Sequence, residues 1–239
     1  MEAERGRSVT YTMPNGAEIV LRQPSTPTAA DVAGRYLEKG LWEQAIAELE
    51  KARRSAPDDA EVVGLLGSIY LAHDRYADAV SALEAATRLA PDDAWWHFKL
   101  GVSHGWAGDQ ERRRTEIETA VSLRPDFAEG YAELGQVYHD EGRASDAIAA
   151  WEKAVALGSE VAEANYNLGG VYFQAGRNEE AVPLLETAAR TGTDVVAGHA
   201  HWVLARVYQA LGRDAALVLA EVQQAAERGN ESARQILSQ

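Results

Sequence analysis

The sequence predicts an all-α fold of about six stacked helix-turn-helix repeats. Three observations predict it. Leu66-Gly67, Leu100-Gly101, Leu134-Gly135 and Leu168-Gly169 stand 34 residues apart. Pro57, Pro91 and Pro125 keep the same spacing, and Tyr70, Tyr138 and Tyr172 each follow their leucine by four residues. Ala45, Ala79, Ala147 and Ala181, then Ala52, Ala86, Ala120, Ala154 and Ala188, fall in the same lattice. A fixed period of this kind marks units that bury their apolar faces only on their neighbours.

The elements follow in order. Residues 1–25 lie outside the repeats and alternate with period two, predicting a β-hairpin over 9–21. Val9-Thr10-Tyr11-Thr12-Met13 and Ala17-Glu18-Ile19-Val20-Leu21 flank Pro14-Asn15-Gly16, which suits a type I turn closed by a left-handed glycine. That register puts Val9, Tyr11, Met13, Ile19 and Leu21 on one face. Such a ribbon is marginal alone, so those residues are the expected docking face. They would cover the first repeat, lie in a groove of this chain or a second copy, or add an edge to a partner sheet. Gln23 to Thr28, with Pro24 and Pro27, reads as a linker.

The repeats are placed at 26–59, 60–93, 94–127, 128–161, 162–195 and 196–229. In the fourth, Tyr131, Leu134, Gly135 and Tyr138 form one stripe of a first helix. Glu141-Gly142-Arg143 ends it. Ala147, Ile148, Trp151, Ala154 and Val155 form the stripe of the second. The sixth repeat is degenerate, with Leu204, Ala205 and Tyr208 shifted by two residues. Residues 230–239 close the array, with a capping helix expected from Glu231 to Ser238.

The third repeat departs from the pattern. Where the others hold Ala-Ile or Ala-Val it holds Arg113-Arg114, preceded by Arg112. An unpaired buried guanidinium is expensive. Either this helix has turned, or the arginines pair with Glu111, Glu116 or Asp109. The run is read as a solvated, internally paired face, or as a secondary contact for an acidic partner or a neighbouring subunit.

The chain has 239 residues, no cysteine and a net charge of −14. That charge repels nucleic acid and anionic membranes, so neither is an expected partner. The absent cysteine removes disulfides, thiolate zinc sites and a cysteine nucleophile. The charged start, Met1-Glu2-Ala3-Glu4-Arg5, is followed by no apolar stretch, and no run long enough to span a bilayer occurs. A cytoplasmic protein is expected. Nineteen of the 23 basic residues are arginine, a bias expected of a GC-rich bacterial genome.

Ala164-Asn165-Tyr166-Asn167-Leu168-Gly169-Gly170-Val171-Tyr172, followed by Ala181 and Ala188, resembles the tetratricopeptide repeat (TPR) family. Asparagine replaces that pattern's tryptophan. The resemblance implies a right-handed α-solenoid whose first helices line a concave groove, and a protein-interaction role. It assigns the groove Trp95, Phe98, Trp106, His139, Tyr166, Phe173 and Trp202. Gly34, Gly64, Gly105 and Gly170 would leave room for a ligand backbone. Large exposed aromatics in a concavity mark a binding surface, here for a protein, peptide or partner helix. Carboxylate-clamp members of the family, which hold chaperone C-termini, need cationic groove residues; Ala30, Gly34, Gly64 and Ser68 stand there instead.

No catalytic constellation appears, so the chain is read as a non-catalytic scaffold with no cofactor and no metal. His97 and His104 occupy structural positions and are expected to be buried and hydrogen-bonded. His199 and His201 point apart on a helix. The alternatives are a self-assembling structural protein, joined through the hairpin or repeat three, and a regulatory subunit docking on an enzyme.

Overall fold

The computed structural model describes residues 8–12, 18–22, 27–158 and 160–238. Among them are thirteen helices: α1 (Ala29–Glu38), α2 (Trp42–Ser55), α3 (Ala60–Ala72), α4 (Tyr76–Leu89), α5 (Ala94–Trp106), α6 (Gln110–Leu123), α7 (Ala128–Asp140), α8 (Ala144–Leu157), α9 (Ala162–Gln174), α10 (Asn178–Thr191), α11 (Asp194–Ala210), α12 (Ala215–Glu227) and α13 (Glu231–Leu237). Backbone segments β1 (Ser8–Thr12) and β2 (Glu18–Arg22) run antiparallel, with Tyr11 opposite Ile19. The turn of the expected hairpin lies outside the described residues. So do the side chains of its docking face: Val9, Tyr11, Met13, Ile19 and Leu21.

Two compact units divide the chain, residues 1–89 and 90–239. In the first, Ala33, Ala45, Leu49, Val62, Leu66 and Ile69 form the core shared by α1 to α3. In the second, each helix packs on the next in sequence, and α7 also meets α9 as α9 meets α11.

The repeat explains the helix ends. Pro-Asp-Asp precedes α3 and α5, and the side chains of Asp59 and Asp93 accept from Glu61 N and Trp95 N at 3.1 and 2.8 Å. At α7 the cap is Phe127, which is buried and trades the side-chain cap for a core contact. Within each pair the turn needs a left-handed residue. Gly142 supplies it at φ 74°, whereas Asp74 adopts φ 58° at the equivalent place.

Small residues let paired helices approach. Gly135 of α7 faces Trp151 of α8, whose Nε1 donates to Ala132 O at 3.2 Å. Tyrosines then tie one pair to the next. Tyr70, Tyr138, Tyr172 and Tyr208 donate to Glu50, Glu118, Glu152 and Glu186 of the preceding helix, at 2.8 to 3.3 Å. Arg75, Arg143 and Arg177 cover the first three rings at 3.8 to 4.3 Å. Burial, then the Glu186 carboxylate, pushes the Tyr208 phenol up to about 12.

Candidate partner-binding groove

Helices α5, α7 and α9 of the second unit place their first-turn and mid-helix side chains around one cleft of about 510 Å³. Spacings of three and four residues put Trp95, Phe98, Lys99, Val102 and Trp106 on neighbouring rows of α5. Phe98, Val102, Ala132, Val161 and Tyr166 supply the apolar lining. Lys99, Glu129, Glu133, Gln136, Glu163 and Asn167 supply the polar lining. A second recess, sharing Val102, Glu133 and Gln136, extends to Gly105, Trp106 and Arg113. A third, sharing Glu129, Val161 and Glu163, extends to Glu160 and Thr193. The second and third recesses each border the main cleft through three shared lining residues.

The expected site residues divide. Trp106 is 65% exposed at one end of the groove, and Trp95 is 36% exposed. The Trp95 ring stands 5.6 Å from Phe98 and 6.0 Å from Phe127, with the Lys99 ammonium 4.6 Å above it. Burial holds the Lys99 pKa below the usual lysine range. Tyr166 borders the cleft while packing toward α10 and α11, and burial pushes its phenol up. Phe173 packs in the same α10–α11 cluster under Arg206, 5.3 Å away. His139 is exposed with its ring 5.8 Å from Trp151. Trp202 packs on Ala205, Val222, Ala225 and Ala233 of α11 to α13 and does not line the cleft, because α13 follows where a further first helix would stand.

The arginine run resolves into three environments. Arg112 is mostly exposed and pairs with Asp109 at 3.4 Å. Arg114 reaches forward to Glu141 at 2.8 Å. Arg113 is buried, 2.8 Å from both Glu133 and Asp140 of α7. Burial alone would lower its pKa; the two carboxylates outweigh that and hold it above the usual value. These partners lie 20 and 27 residues away on α7, not at the expected Glu111, Glu116 or Asp109 beside it. From Arg113 a polar chain crosses the groove. Asp140 Oδ1 accepts from Gln136 Nε2 at 2.7 Å, and Gln136 Oε1 accepts from Asn167 Nδ2 at 3.2 Å.

Gly105 is a correction to the expected ligand-backbone space. A Cβ there would stand 2.7 Å from Arg113 Cδ, so the arginine stem already fills its room. Gly34 and Gly170 do face open space, and Gly64 is buried.

The histidines hold structural bonds. His97 Nδ1 lies 2.7 Å from Glu116 and Nε2 lies 2.9 Å from Pro91 O. His201 Nδ1 lies 2.6 Å from Glu221, and His104 is buried. Among the described residues no group of three or more His, Asp or Glu is arranged to hold a metal, and no helix is long and apolar enough to cross a membrane.

Paired helices with a period of 34, small residues at the pair interface and a groove lined by first helices define a helical-repeat protein. The chain belongs to the tetratricopeptide repeat family: family models match residues 36–100 and 132–195, together more than half of it. No curated protein matches it in sequence. Among solved structures, MamA is 25% identical, with a TM-score of 0.58 over 67% of this chain and 94% of that one. PilF of Pseudomonas aeruginosa is 16% identical, with a TM-score of 0.76 over 88% of this chain and 95% of that one. A chain of the Cut9–Hcn1 hetero-tetramer is 18% identical, with a TM-score of 0.73 over 88% of this chain and 42% of that one. The last two likenesses show the fold alone.

Proposed function

We propose that this chain is a non-catalytic interaction scaffold that holds a protein partner in the α5/α7/α9 groove. One observation carries the reading. Phe98, Val102 and Tyr166 line an open cleft of about 510 Å³ that continues to Trp106, a tryptophan 65% exposed. Tryptophan left largely in water has apolar area to bury, and aromatic anchors in a concavity dominate binding energy. The cleft is a few side chains in size, which suits a helix face or an extended peptide. Membership of a family of interaction scaffolds points the same way.

Phe98, Trp106 and Tyr166 are the proposed contacts, with Trp95 beside them. His139 and Phe173 stand as outer contacts of the same surface. Trp202 is the weakest member of the set, since α11 to α13 already cover it.

The test uses a photo-crosslinking residue at Gly170, where a side chain meets open space one turn from Tyr166. Irradiation in native lysate should give a discrete adduct, lost in Trp106→Ala and in Phe98→Ala/Tyr166→Ala with helicity intact. The same adduct in all variants would remove the groove as the site.

Self-assembly is a second reading with its own observation: Ile236 and Leu237 of the last helix are exposed. Mass in solution for wild type and Ile236→Lys/Leu237→Lys tests it. A monomer in both discards it.

A further inference from the structure

We infer that the segment held in this groove is cationic as well as apolar: a helix or extended stretch with lysine or arginine flanking an apolar residue. The inference rests on the groove reading above and adds the partner's charge.

The carboxylates lining the cleft are not equivalent. Glu133 is committed to Arg113 at 2.8 Å. Glu129 and Glu163 are exposed, each second in its helix, α7 and α9. Among the described residues neither makes a hydrogen bond or an ion pair. Both border the main cleft and the recess beyond it, where Glu160 adds a third carboxylate held by Arg190 at 3.1 Å. The helix N-termini favour these anions but leave their outer oxygens to water.

The cleft's own cation does not answer them. Lys99 Nζ lies 4.6 Å from the Trp95 ring centre and 5.8 Å from that of Phe98. Its charge rests on aromatic faces, and burial is the cause of its lowered pKa.

An apolar ligand seated on Phe98, Val102 and Tyr166 strips water from the Glu129 and Glu163 border. Desolvating a carboxylate is costly unless a cation replaces the water. A guanidinium or ammonium does so with a charge-assisted hydrogen bond. An acidic segment would set like charges together, in the field of a chain carrying −14.

The probe is a fluorescein-labelled amphipathic helical peptide with leucine and phenylalanine on one face and arginine at the flanking positions. Its twin carries glutamate at every arginine. Anisotropy at physiological salt should show the arginine peptide at least about tenfold tighter. Glu129→Gln/Glu163→Gln should cost it about tenfold, whereas the same charge change at exposed second-unit carboxylates that do not line the cleft, Glu179→Gln/Glu231→Gln, should leave affinity within about twofold. Trp106→Ala and Phe98→Ala/Tyr166→Ala should weaken both peptides. All variants carry surface or half-buried changes, and helicity checks their folding.

Equal binding of the two peptides, tighter binding of the glutamate twin or no binding of either overturns the charge inference. So does equal loss in the two glutamine pairs. If aromatic truncation weakens binding while Glu129→Gln/Glu163→Gln does not, the groove stands and only its charge preference falls. If neither set matters, both readings fall.

Discussion

Replacing Gly135 with alanine probes how closely α7 and α8 must approach. Glycine in a helix interior costs about 0.5–1 kcal/mol relative to alanine, so propensity alone predicts a more stable protein. Packing reverses the sign. A Cβ at 135 would stand 2.4 Å from both Cδ1 and Nε1 of Trp151. Ordinary carbon contacts begin near 3.5 Å, so the indole must retreat by roughly 1 Å. Trp151 is 2% exposed, so its indole cannot swing out to solvent without opening the core. Its bond from Nε1 to Ala132 O, already 3.2 Å, would break. Overpacking costs about 1–3 kcal/mol and a buried unpaired N–H a further 1–3. Against the propensity gain, Gly135→Ala should lose about 2–4 kcal/mol, lowering Tm by roughly 5–12 °C for a chain of this size. Gly170→Ala, with nothing within 4 Å, should instead gain about 0.5–1 kcal/mol. Gly169→Ala should fall between them, because the nearest atom is Leu185 Cγ at 2.8 Å on a side chain that can rotate. Thermal and urea denaturation followed by helical circular dichroism measure all three. A Gly135→Ala protein that melts at or above wild type would refute the packing argument.

Three other outcomes are expected. Arg113→Met should cost about 1–3 kcal/mol by urea denaturation, below the loss for a fully buried pair because Asp140 is partly exposed, while Arg112→Ala should stay within about 0.5 kcal/mol; equal effects would mean that Arg113 is not the clamp. In alkaline titration at 295 nm, Tyr208 should ionise at about 12, and Tyr208→Phe should remove that late component. A raised phenol pKa favours the neutral form in the fold, so its contribution is complete below the unfolded value near 10 and is lost as pH rises to about 12. Pro183, exposed inside α10, removes a helical N–H bond, and Pro183→Ala should raise stability by about 1–2 kcal/mol, read as a higher urea midpoint.

The helix pairs were legible because their cause is local and repeated. Leucine, glycine and tyrosine recur at fixed offsets, and each recurrence marks the same contact. The tyrosine ties were written with equal regularity but went unread as bonds, since each glutamate precedes its tyrosine by 20 residues, or 22 for Tyr208, across a repeat boundary. The groove was half legible. Exposure of Trp95 and Trp106 was expected from the repeat positions that the family resemblance assigns to the concave face. Trp202 shares such a position, yet α12 and α13 cover it, beyond the point where the register has drifted. The partners of Arg113 were hidden for another reason. A lone arginine at an alanine position announces a conflict but does not say which neighbouring helix resolves it.

Repeat three resolves that conflict by giving the arginine stem the space beside a glycine. At one position of the first helices the chain holds Leu71, Gly105, His139 and Phe173; at the facing position of the second helices it holds Ala79, Arg113, Ala147 and Ala181. Three repeats put the large residue on the first helix and alanine on the second. The third reverses this, and the Arg113 stem occupies the room a side chain at 105 would take. Within repeat three the arginine stem leaves no void beside Gly105, as close packing requires. The exchange also does two things that a leucine–alanine pair does not. It clears the first helix beside Trp106, so the recess there is walled by Gly105. It brings a guanidinium to Glu133 and Asp140, and through Asp140 it orients Gln136 and Asn167 along the cleft. A polar wall fixed before a ligand arrives loses less freedom on binding than one that must be ordered by it. The departure from the repeat therefore lines the recess beside Trp106, and the cleared glycine and the polar wall come from one exchange.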